Sequence, residues 1–114
     1  MVISSAGAVV LVPFPFFDLS QSKLRPAVVL ADAGRSDWIL CQVTSNPYSD
    51  PRAVTLVADD FLAGSLRTVS YARPGKLFTA NVGLVVGQVG SLKRDPFNRI
   101  IGAVVDILRT APTA

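Results

Sequence analysis

The sequence predicts a small, mainly β domain: a barrel of short strands closed by one C-terminal α-helix. Three observations predict it. Short apolar runs alternate with breaks rich in Gly, Pro, Asn and Asp from residue 7 to residue 89. A single amphipathic stretch of helical period then follows, from Asp95 to Leu108. The whole chain is 114 residues, which fits one domain spanning residues 1–114 with a single core.

The elements read as follows. Gly7 leads into a first strand at residues 9–12, and Pro13 and Pro15 break its ladder. Residues 14–23 then form a loop. A second strand spans residues 26–30, Pro-Ala-Val-Val-Leu, with Pro26 suited to its first position because it has no N–H to donate. Gly34 marks a turn over residues 31–37. Residues 38–44, Trp-Ile-Leu-Cys-Gln-Val-Thr, form a third strand, and residues 45–51 are dense in turn formers. Residues 53–57 are a fourth strand, and residues 59–62 a helical turn before Gly64. Two short strands, 67–71 and 76–80, flank Pro74-Gly75, and a last strand covers residues 84–89.

The C-terminal stretch differs in period. Asp95 is a good N-cap and Pro96 a good first helical residue. Phe97, Ile100, Ile101, Val104, Val105 and Leu108 then fall on one face of a helix. That stripe is core packing. Gly83, Gly87 and Gly90 suit the bends of a small barrel.

Composition excludes several chemistries. There is no histidine and one cysteine, Cys41, which offers no disulfide within the chain and argues against a zinc site. Catalysis by Ser-His, Cys-His or paired histidines is excluded as well. All eight acidic residues are Asp. Mean hydropathy is +0.45, but no apolar run reaches the ~18 residues of a membrane span. The first residues lack the basic region of a signal peptide. The apolar excess points to a subunit interface. A net charge of +3 permits an anionic partner without demanding one.

One cation stands out. Arg25 precedes the buried run Pro-Ala-Val-Val-Leu, so packing can fix its guanidinium at a strand mouth. An arginine held there can grip a phosphate with two parallel hydrogen bonds. On local chemistry an ion pair with a rim Asp is the simpler reading. Thr44 and Ser45 end the third strand; locally they read as a turn cap before Asn46-Pro47. Strand alternation lets only one of them face a site. Lys23, Arg73 and Lys76 by themselves read as solvated surface. Phe14, Phe16 and Phe17 suit base stacking, but core or interface packing fits aromatics beside prolines better.

Residues 7–17, the block Arg25-Pro26-Ala27-Val28-Val29-Leu30 and the strand end Gln42-Val43-Thr44-Ser45 together resemble the MazF/PemK toxin endoribonucleases. Asp60-Phe61, Gly64-Ser65-Leu66 and Arg73-Pro74-Gly75-Lys76-Leu77 extend the resemblance over residues 7–108. It implies an SH3-like β-barrel of the CcdB/PemK type with a C-terminal helix, a cytoplasmic homodimer and a cognate antitoxin. It also implies cleavage of single-stranded RNA, as in mRNA, with neither metal nor cofactor. Arg25 and Thr44 match the family's arginine and threonine and would carry catalysis. Ser45, Asp18, Ser20, Lys23, Phe16, Arg73 and Lys76 would support the site or contact RNA, with Asp18 the loop carboxylate able to take a proton. Two features depart from the pattern. Gly7-Ala8 replaces the usual Gly-Asp, and Ser70-Tyr71-Ala72 stands where some members place an Arg-x-Asp acid–base pair. Two other readings stay open: a CcdB-like gyrase-binding toxin, and an inactive barrel that dimerises and binds an antitoxin peptide. The first is weakened by a C-terminal segment, residues 109–114, without an aromatic.

Overall fold

The first two strands show why Arg25 stands where it does. β1 (Ala8–Phe14) pairs antiparallel with β2 (Lys23–Gly34), setting Leu11 against Pro26 and Val12 against Arg25. The computed structural model describes residues 5–14 and 23–110. β2 pairs on its other side with β3 (Asp37–Thr44), and that ladder ends at Ala27–Gln42. Pro26 therefore lies inside β2, not at its start. It is tolerated because it sits one residue beyond the β3 ladder, where no N–H is called for. The β2–β3 turn is only Arg35-Ser36, both at positive φ (55° and 65°), the mirror-type geometry that matches strand twist.

The remaining strands are β4 (Val54–Leu56), β5 (Phe61–Gly64), β6 (Ser70–Asn81) and β7 (Gly87–Leu92). They complete one curled antiparallel sheet of order β4-β6-β3-β2-β1-β7-β5. Two expectations are corrected here. The strands expected on either side of Pro74-Gly75 are one strand, β6, which bulges: five residue steps on β6, from Ala72 to Leu77, answer two on β3, from Val43 to Cys41. The last strand is shifted to Gly87–Leu92, because Val82–Leu84 form a 3-10 turn capped by the Asn81 side chain, which accepts from the Gly83 N–H at 2.9 Å. β5 and β7 cross so closely that a Cβ on Gly90 would stand 2.7 Å from the Ala63 carbonyl oxygen.

The helix α1 runs Arg94–Arg109 with Lys93 as its N-cap, so it starts before the expected Asp95 cap. The reason is tertiary: the Lys93 N–H donates to the Asp60 carbonyl at 2.8 Å, fixing the entry of the helix. Asp95 lies in the first turn and pairs with Arg99 at 3.4 Å. Ile100 and Val104 are buried, while Leu108, expected in the stripe, is 70% exposed and Val105 is also exposed.

The sheet buries apolar residues on both faces. Under α1, packed against its Ile100 and Val104, lie Val28, Leu30, Cys41, Val43, Leu56 and Ala72. On the opposite face lie Val10, Val12, Ala27, Val29, Leu40, Ala80 and Val85, with Trp38 and Phe78 beside them. Among the described residues no helix is long and apolar enough to cross a membrane.

Candidate functional site

Strand alternation sorts the polar residues between these two faces. On β2, Ala27 and Val29 belong to the face away from the helix, so Arg25 leaves the strand on that face too. On β3, Leu40 belongs to the same face, and with it Gln42 and Thr44. Ala27 opposes Gln42. Two residues further along each strand, past the last ladder pair, Arg25 and Thr44 fall at corresponding positions on the same face. The two residues expected to share a phosphate thus occupy matching positions at the ends of neighbouring strands.

Arg25 is partly buried, and it makes no ion pair or hydrogen bond among the described residues. The rim ion pair that local chemistry favoured is not formed there. Thr44 is buried, at 7% exposure, and its Oγ1 accepts from the Asn46 N–H at 3.1 Å. That bond orients the hydroxyl and leaves its O–H to donate elsewhere. Ser45 is exposed just beyond β3, as alternation requires.

The other expected residues are dispersed. Lys23 opens β2 and is exposed; Lys76 is exposed within the β6 bulge. Arg73 is committed elsewhere. Its Nε donates to Asp50 at 3.2 Å, and its guanidinium lies 5.3 Å from the centre of the Tyr48 ring. Asp18, Ser20 and Phe16 lie outside the described residues.

Three residues of this region went unassigned in the sequence. Asp50 and Tyr48 come from the turn after β3, where the Tyr48 N–H donates to the Asn46 side chain at 2.9 Å and the Asp50 N–H to the Pro47 carbonyl at 2.9 Å. The turn composition predicted that turn, but nothing local pointed it at Arg73. Gln42 is the third. It faces the β6 bulge, and its Oε1 is buried without a hydrogen-bond partner among the described residues.

Cys41, the neighbour of Gln42, points to the helix side and is fully buried. Its thiol donates to the Arg73 carbonyl at 3.2 Å. Burial pushes its pKa up to about 12, so it is a packed thiol and not a nucleophile. Among the described residues no three His, Cys, Asp or Glu side chains cluster to hold a metal.

No protein-family model matches the sequence, and no curated protein matches it. Solved structures do match the fold. MazF from Deinococcus radiodurans (Form-I) is 22% identical over 96% of this chain and 100% of that one, with a TM-score of 0.75. The MazE–MazF complex of the same organism (Form-II) is 21% identical over 97% and 100%, with a TM-score of 0.76. A mycobacterial endoribonuclease in complex with its cognate antitoxin is 14% identical over 97% and 100%, with a TM-score of 0.74. At these identities the likeness is one of architecture. The curled seven-stranded sheet with its C-terminal helix is the MazF fold.

Proposed function

We propose that this chain is the toxin of a type II toxin–antitoxin system: a metal-independent endoribonuclease that cuts single-stranded RNA. The observation that supports the reading is that Arg25 and Thr44 lie two residues past the Ala27–Gln42 pair, on one face of a MazF-like sheet. RNA supplies its own nucleophile. The 2′-hydroxyl attacks the adjacent phosphorus, charge builds on the non-bridging oxygens, and the 5′-oxygen leaves. The products are a 2′,3′-cyclic phosphate and a 5′-hydroxyl end.

Arg25 neutralises the charge that develops on the phosphorane, the electrostatic form of catalysis. Thr44 donates its O–H to the same phosphate, held by the Asn46 N–H at its oxygen. Lys23 and Lys76 contact flanking phosphates, and Ser45 borders the site. The fold neighbours crystallised with antitoxins support an antitoxin as partner. The exposed apolar side chains Leu62, Leu84 and Val86 support a homodimer.

The test is cleavage of a single-stranded RNA in EDTA. Wild type should cut and leave 5′-hydroxyl ends. Arg25→Ala should lose about 10²–10³-fold in kcat, the loss typical of removing one charge-stabilising donor. Thr44→Ala should lose about tenfold, as for one hydrogen bond. Two variants that cut as fast as wild type sink the assignment. An inactive antitoxin-binding barrel is the second reading, favoured by one observation: Asp50, the carboxylate that follows β3, is held in an ion pair by Arg73. It predicts antitoxin binding without cleavage at any protein concentration.

A further inference from the structure

The buried, unpartnered oxygen of Gln42 is the feature that the reading above leaves unexplained. A buried acceptor without a donor is unfavourable, and such groups in folded proteins mark a site or a missing partner. Gln42 Oε1 has lost its solvent and has found no donor among the described residues. Two arginines leave the sheet beside it. Arg73 follows Ala72 at the start of the bulge that Gln42 faces, but its Nε and its flat face are already occupied by Asp50 and Tyr48. Arg25 has no partner among the described residues. Gln42 opposes Ala27, and Arg25 lies two residues before Ala27 on the same face. The two are therefore diagonal cross-strand neighbours, about 7–8 Å apart at the backbone and within reach of long side chains.

We propose that Gln42 is the positioning residue of Arg25: its Oε1 accepts an N–H of the Arg25 guanidinium when that group turns onto a phosphate. The inference rests on the ribonuclease reading and deepens it. A guanidinium carries five N–H donors in a rigid planar fork. A phosphate takes two of them from one edge. A fixed acceptor on another N–H removes the remaining rotation, so the fork meets the phosphate in one orientation. The arrangement also removes the cost of the orphaned oxygen in the engaged state only. Gln42 itself touches no reacting atom.

The experiment measures kcat and KM separately for wild type, Arg25→Ala, Gln42→Met and the double variant on one single-stranded RNA in EDTA. Methionine matches glutamine in length but carries no amide oxygen, and Gln42→Leu serves as a second isostere should Met pack badly. Gln42→Met should lower kcat by about 10- to 100-fold, the range for a hydrogen bond to a charged group, while KM stays within about twofold. Its melting temperature should equal or exceed that of wild type, since an unpaired buried oxygen is gone. In the Arg25→Ala background Gln42→Met should have no further effect on kcat. An unchanged kcat in Gln42→Met beside a dead Arg25→Ala overturns the inference and leaves the ribonuclease reading intact. Fully multiplicative effects overturn it as well, as does coupling of Gln42 to Arg73→Ala instead of Arg25→Ala. Wild-type activity in Arg25→Ala overturns both.

Discussion

At the scale of single residues, Pro26 governs the placement of Arg25. With no N–H to donate, it lies one residue past the last β2–β3 ladder pair, and Arg25 lies one further, still paired with Val12 of β1. The sequence showed the proline and the arginine together, but it placed the proline at the strand start. Cys41 shows the opposite case, in which burial alone decides chemistry. Its pKa is raised from 9.0 to about 12, mainly by desolvation. The folded state holds this proton more tightly than the unfolded state does. Stability from this group is therefore complete below about pH 9 and is lost as pH rises toward about 12. Urea unfolding across that window should show stability falling by up to ~1.4 kcal/mol per pH unit from this residue. Cys41→Ala should lower stability overall yet flatten the alkaline slope relative to wild type.

At the scale of elements, periodicity revealed α1 but not all of its buried face. The residues expected to pack included Val105 and Leu108, both of which are exposed. Ile107, left out of the stripe, lies beside Gly75 of the β6 bulge, 3.8 Å from where its Cβ would be. The bulge draws the helix face around toward itself, and no helical wheel contains that information. Thermal melts separate the two faces. Ile100→Ala should cost about 2–5 kcal/mol, because the side chain is fully enclosed. Leu108→Gln should stay within about 0.5 kcal/mol of wild type. The bulge is also why two strands were expected where β6 is continuous. Pro74 and Gly75 are breakers in a regular ladder, but here five steps on β6 answer two on β3 and absorb them.

At the scale of the whole molecule, one sheet separates two tasks. Its helix side is a closed apolar core, and its other side carries Arg25, Gln42 and Thr44 at the margin of a second apolar cluster. The mild positive charge then acts at a distance. If the site holds RNA, KM should rise steeply with salt, with a log–log slope of about 0.7 per phosphate contacted. Lys23→Ala and Lys76→Ala, both at exposed positions, should each reduce that slope by about 0.7 with kcat unchanged. Arg73→Ala should instead destabilise the turn after β3, since its charge is bound to Asp50 there. Titrating cleavage against salt for the three variants distinguishes these outcomes.

The amino-acid sequence alone determined the fold class, the terminal helix and the β character of the chain from residue 7 onward; the pairing of Arg25 with Thr44 came only from the family resemblance. The fold class, the helix and the β character follow from local chemistry: hydrophobic period and turn formers. Tertiary structure alone decided the β2–β3 register that sets Ala27 against Gln42, the commitment of Arg73 to Asp50 and Tyr48, and the burial of the Gln42 oxygen. Those depend on which strands meet and where a ladder slips. Cross-strand register is a property of two distant segments at once, so neither segment encodes it by itself.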